Sequence, residues 1–146
     1  MKNLAGNLTI YLVAAILFSF GFIYLLRNSF MPYHSEAISL EWQQVNKAVQ
    51  YLLLALMRTT GGGFISLACT ITFLQFKFNR DKLAWIPGLI LFLGTISMLC
   101  STYAILLVSE HTHGRPPLVV AIAGELLLIA GFIFNRKYLT KQQNDE

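Results

Sequence analysis

Charge is what this sequence has least of. Only 12% of its 146 residues are Asp, Glu, Lys or Arg, against 55% hydrophobic residues and a mean hydropathy of +0.59. A soluble domain is about a quarter charged, so most of this chain is not built to meet water. Dyad alternation is missing as well, which excludes a membrane β-barrel, because a lipid-facing backbone must pair its own polar groups. No Ser-His-Asp order, phosphate-binding loop, nucleotide fingerprint or zincin-type motif occurs, so none of those chemistries has a sequence basis. Repeats, low-complexity tracts and linkers are absent too, and the length fits one domain over residues 1–146.

Cysteine is scarce: Cys69 and Cys100 are the two present. At ~1.5 Å per helical residue they fall ~11 Å and ~25 Å from the same membrane face. A disulfide needs Cα atoms within ~7 Å, so no pairing is expected. Both are expected to be buried thiols that pack as small hydrophobes.

What the chain does have is four apolar blocks, Leu8–Leu26, Leu52–Phe76, Leu83–Val108 and Leu118–Phe134. About 20 apolar residues cover a ~30 Å hydrocarbon core as a helix. The expected fold is therefore all-α: a polytopic four-transmembrane-helix bundle with helices near residues 8–26, 48–76, 83–108 and 118–136. The first block is too long for a signal-peptide core, and no small-x-small cleavage site follows before Arg27; it is expected to be a retained helix.

The net charge of +4 and pI near 9.2 do not point to nucleic acid, because the basic residues cluster at segment ends with no aromatic interleaving. Lys2, Lys77, Arg80, Lys82, Arg136, Lys137 and Lys141 fall on one side; Arg27, Lys47 and Arg115 fall on the other. By the positive-inside rule both termini are expected in the cytoplasm, with the Arg27–Gln50 and Ser109–Pro117 loops outside. The first of these loops is long. Pro32 blocks continuation of the first helix, while Ser35, Ser39 and Glu41 carry helix-start chemistry. From Leu40, residues Trp42, Val45, Val49 and Leu52 recur at helical spacing, which predicts a short amphipathic lead-in running into the second helix.

Three constellations are candidates for chemistry. Arg58 and Glu125 are charges inside apolar blocks, where each costs roughly 2.5–3.5 kcal/mol on insertion scales. Counted from the outer ends of their helices, both fall ~10 Å deep, so a buried pair is expected. That pair fixes helix register or floors an outward-facing polar pocket. Gly61-Gly62-Gly63 lie just below Arg58, either as a close-packing seam or as a local unwinding. Gly94, Ser97 and Ser101 on the third helix, with Gly124 and Gly131 on the fourth, offer a matching small or polar face. The outer histidines His34, His111 and His113 could hold a metal at an open site, but solvated loop histidines are the simpler reading, and no cofactor is expected.

The run Phe30-Met31-Pro32-Tyr33-His34, then Trp42, then Leu56-Met57-Arg58-Thr59-Thr60-Gly61-Gly62-Gly63, resembles a group of small bacterial four-helix membrane proteins to which no activity is assigned. The resemblance implies a bacterial inner-membrane location and carries over no substrate, cofactor or catalytic residue.

The leading functional expectation is a non-enzymatic membrane protein that takes a small or lipid-like ligand, or a protein partner, in that outward pocket. Arg58 would be the anchor and Glu125 its orienter, with Gly61, Gly62, Ser97 and Ser101 around them and Tyr33, His34 and Trp42 at the mouth. One alternative is a small homo-oligomeric transporter using Glu125 as a proton-coupled carboxylate. A further alternative is a metal-dependent membrane enzyme using the three histidines.

Overall fold

The computed structural model describes residues 3–144; Lys2, counted above on the cytoplasmic side, lies outside the described residues. The chain runs α1 (Leu4–Leu26), α2 (Pro32–Ile38), a single 3₁₀ turn (Trp42–Gln44), α3 (Lys47–Asp81), α4 (Ile86–His111) and α5 (Leu118–Asn144), with no strand among the described residues. All but α2 and the 3₁₀ turn are long and apolar enough to cross a membrane, which makes this a multi-pass membrane protein. Large apolar side chains such as Leu8, Phe73, Phe92, Leu99 and Leu126 project from the bundle's outside, the inverse of a soluble surface. The bilayer is the solvent they fit.

The local signals explain the boundaries. Pro32 does more than stop α1: it occupies the first turn of α2, where its missing N–H is no loss. Ser39 ends that helix in the left-handed conformation (φ 54°), although its composition reads as a helix start. Asn46 instead opens α3, its side-chain oxygen accepting the Ala48 N–H at 2.8 Å. The expected lead-in from Leu40 is thus a separate 3₁₀ turn, cut from α3 by extended Val45 and by Asn46. The 35 residues of α3 give it about 52 Å of length at ~1.5 Å per residue.

The four long helices form a ring in which α1 touches α3 and α5, and α4 closes the other side against the same two. Small residues set the close approaches. A Cβ on Gly61 would stand 2.7 Å from the Gly21 carbonyl oxygen, so the α1 and α3 backbones meet there directly. Gly131 admits Ile10, and Gly94 admits Leu128. Ile10, Val13, Leu17, Ile71, Phe78, Ile86, Ile90 and Leu128 fill the core between them.

One end of the ring is sealed by amides. Asn3 Nδ2 donates to Asn135 Oδ1 at 2.5 Å, Asn135 Nδ2 to Gln75 Oε1 at 2.9 Å, and Gln75 Nε2 to Asn7 Oδ1 at 2.7 Å. Gln75 and Asn135 are fully buried. The network joins α1, α3 and α5 across the ring's diagonal. Neutral amides can hold helices together here because the buried amide groups of Gln75 and Asn135 find partners. At the opposite end, the lid end, the chain between α1 and α3 folds over the ring. Phe30, Val45 and Met57 are buried there, with Trp42 edge-on to Phe30 at 5.0 Å.

Candidate functional site

A cavity of about 250 Å³ lies inside the ring toward the lid end. Leu17, Phe20 and Tyr24 of α1 line it, facing Ser101, Ala104 and Ile105 of α4. Thr60 and Phe64 of α3 form another wall, and Pro117 and Val120 the last. α2 is its roof, through Tyr33 and His34. Below it the bundle closes on Met98 and the packed core. Among the described residues no Lys, Arg, Asp or Glu lines the cavity; its polar side chains are hydroxyls and one imidazole.

The roof is pinned from two sides. The Tyr24 and Tyr33 hydroxyls hydrogen-bond to each other, tying α2 to α1. On the far side the Arg115 N–H donates to the Glu36 carboxylate at 3.2 Å. Gly114 makes that seat possible, since a Cβ there would stand 2.6 Å from the Tyr33 carbonyl oxygen. Burial, and then the Tyr24 hydroxyl, push the Tyr33 phenol well above its ordinary titration range. His34 Nδ1 accepts the Met31 N–H at 3.3 Å, closing the first turn of α2. Its Nε2 then carries the proton as a donor in the neutral ring. Burial lowers the His34 pKa, favouring that neutral form.

Of the residues expected at the site, Tyr33, His34 and Ser101 line the cavity; Arg58, Glu125, Trp42, Gly61, Gly62 and Ser97 do not. The expected Arg58–Glu125 pair is not formed. Among the described residues the ion pairs are Lys77–Asp81 at 2.6 Å and Arg80–Asp81 at 2.7 Å. α3 and α5 sit diagonally in the ring, and Arg58 is exposed on the outside of α3. Depth separates them as well. Gln75 and Asn135 share a level, and from there Arg58 lies about 25 Å along α3 and Glu125 about 15 Å along α5, at ~1.5 Å per residue. Gly61 packs against Gly21 to Leu25, so Arg58, a turn further on, stands level with the last turn of α1. Arg58 is a residue of the bundle's rim, not its middle.

Glu125 has a different neighbour. Its Oε1 accepts the Thr95 hydroxyl at 2.8 Å across α4 and α5, while Oε2 is buried without a partner. Trp42 is a packing residue of the lid, and its carbonyl oxygen accepts Gln50 Nε2 at 2.7 Å. Gly62 and Gly63 meet nothing within 4 Å, so only Gly61 serves the packing role considered for all three, and α3 stays helical throughout. The histidines are not gathered: His34 is under the lid, His111 Nδ1 is 3.0 Å from the Leu107 carbonyl oxygen, and His113 is exposed. Among the described residues no group of three or more His, Cys, Asp or Glu is placed to hold a metal. Cys69 and Cys100 are free, as expected, but exposed on the bundle's outside instead of buried.

Sequence reasoning missed Tyr24, Thr60, Phe64 and Ile105, together with Thr95 and the whole amide network. Asn3, Asn7, Gln75 and Asn135 were the available signal: uncharged amides at one end of three apolar runs, with Asn3 and Asn7 one turn apart.

The fold defines a polytopic four-helix membrane bundle with a roofed, uncharged cavity. The chain matches no protein-family model, no curated protein and no solved structure.

Proposed function

We propose that this protein is a non-enzymatic binding protein of the bacterial inner membrane, with both termini in the cytoplasm and the lid end outside. It holds a small, largely apolar ligand in the cavity beneath α2. The observation that carries this reading is the cavity itself: apolar walls, a few polar groups from Tyr24, Tyr33, His34, Thr60 and Ser101, and a roof hydrogen-bonded to the ring. The lack of formal charge in the lining favours a neutral or hydrocarbon moiety over an anion held by Arg58. The orientation draws on the excess of Lys and Arg at the amide end.

Native mass spectrometry of the full chain, released from mild detergent, tests the reading. The expected spectrum carries one bound ligand per chain, strongly reduced in Ser101→Trp, whose indole would occupy the cavity. A wild-type protein that flies unliganded, or a Ser101→Trp variant that retains the same adduct, would sink it. The same spectrum reports whether the chain is a homo-oligomer.

The transport reading draws on Glu125, whose Oε2 is buried and unpartnered. Glu125 lies outside the cavity lining, and the packed core separates the cavity from the amide end. Proton-coupled uptake in vesicles that vanishes in a folded Glu125→Gln variant would replace the binding reading with this one.

A further inference from the structure

The cavity is roofed above and filled below, and it also has an opening at its side. Above it, α2 is held to α1 by the Tyr24–Tyr33 hydrogen bond and to the α4–α5 loop by Glu36 and Gly114. Below it, Met98 and the core fill the ring. Between α3 and α4 the situation differs. Thr60 on α3 and Ala104 on α4 both line the cavity, yet both are exposed. The cavity therefore reaches the bundle's surface between these two helices.

The course of α4 accounts for the gap. Its buried residues, Ile86, Pro87, Ile90, Gly94 and Met98, all lie in the half next to the short α3–α4 turn. Beyond Met98 no residue of α4 is buried. Of the neighbouring pairs in the ring, α3 and α4 engage each other least. The two helices share buried residues near their common turn, and toward the lid end α4 contributes only half-buried and exposed ones.

What surrounds that gap is hydrocarbon. Leu99, Tyr103, Leu106 and Leu107 stand exposed on the same stretch of α4, within a helix long and apolar enough to span. A lipid chain need only move sideways to enter. At about 250 Å³, the space falls just under the ~300–1,000 Å³ typical of pockets that enclose a whole small molecule. It suits part of a chain, not a complete amphiphile.

Resting on the binding reading above, we infer that the ligand is a glycerophospholipid of the surrounding leaflet, one acyl chain of which enters sideways between α3 and α4. Its chain lies against Phe64 and Ile105. Its polar end stays near the mouth, within the reach of the hydroxyls and of the neutral His34 ring under the lid. Leaving lipid for this cavity removes no apolar surface from water, so the hydrophobic effect does not drive the transfer. Selection then falls to shape and to those few polar groups.

The test uses the full chain in phosphatidylethanolamine–phosphatidylglycerol vesicles doped with a phospholipid that carries a photoactivatable diazirine in its acyl chain. After illumination, peptide mass spectrometry locates the adducts. Labels are expected on Phe64 and Ile105 as well as on the outward Leu99 and Tyr103. Thr60→Trp with Ala104→Trp should cut the inner labels at least several-fold and leave the outer ones unchanged. Both positions are exposed, and Ala104→Phe alone supplies a milder block should the double variant misfold. Labels confined to Leu99 and Tyr103 in the wild type would overturn the inference. If native mass spectrometry still shows a bound ligand in that case, the binding reading stands and only the lipid and its route are lost. If it shows none, both fall.

Discussion

At the amide end, Asn3, Asn7, Gln75 and Asn135 satisfy one another, and large aliphatic side chains seat into glycine notches on their neighbours. At the lid end, α4 has no buried residue beyond Met98, a cavity replaces the core, and a seven-residue helix is its roof. The same four helices thus build one rigid half and one yielding half. Binding sites are drawn from the less stable part of a fold because that part can open without unfolding the rest. The packed half also gives the open half a fixed frame, so the cavity keeps its shape although one wall is loose.

The contrast is broken most severely at the α1–α3 contact. Gly61→Leu puts a side chain where the Gly21 backbone already sits, and overpacking of about 3 kcal/mol or total loss of the fold is expected. Gly63→Ala, two residues away, meets open space and should stabilise the helix by up to ~1 kcal/mol. Unfolding midpoints in a denaturing detergent series measure both; equal effects would mean the backbones do not meet at Gly61. Next comes Asn135→Leu, which strands amides on Asn3 and Gln75 and should cost about 1–3 kcal/mol by the same assay. Ligand retention at the lid end should survive it, since the cavity lies beyond the core.

A smaller effect follows from acid. The imidazolium of His34 is disfavoured by burial, so its pKa under the closed lid lies below the ordinary 6.5. A chain with the lid released takes up the proton first as pH falls. The closed lid is therefore fully stable above about pH 6.5 and loses stability as pH drops through the lowered value. A spin label at Ile38 should show faster motion at pH 5 than at pH 7.5, and His34→Phe should remove the difference. Unchanged motion would take His34 out of the lid's stability. Smallest of all is Arg58→Leu. An exposed rim arginine should shift the unfolding midpoint by no more than about 0.5 kcal/mol. A loss as large as that of Asn135→Leu would return Arg58 to a buried partnership.

Much of the fold was legible in the sequence because a helix in lipid advertises itself by length and apolarity alone. The short α3–α4 and α4–α5 connections made those helices neighbours, and Pro32 marks a real boundary, whereas the cap at Asn46 went unread. The site was only partly legible. Arg58 was placed too deep because its helix was assumed to enter lipid at the first apolar residue. The outer turns of α3 instead rise beside the lid, where Met57 packs on Phe30 and Val45. The amides were overlooked because an Asn or Gln at the end of an apolar run looks like a solvated boundary. Only the ring order reveals that three such boundaries converge. Tyr33 and His34 were singled out as polar groups of the outer loop and Ser101 as part of a small or polar helix face; their common cavity depends on α4 having no buried residue beyond Met98, which periodicity does not encode.

The amide network also sets a clock. Gln75 can reach Asn7 once the second long helix has joined the first, but the bond from Asn3 closes on a residue 132 positions later. At roughly 5–20 residues per second of synthesis, about 7 to 26 seconds pass before Asn135 exists. Until then Asn3 lacks the partner it has in the finished bundle, and the last helix to emerge is the one that supplies it. Completion of the bundle is therefore registered at the beginning of its first helix, by a side chain that was among the earliest made.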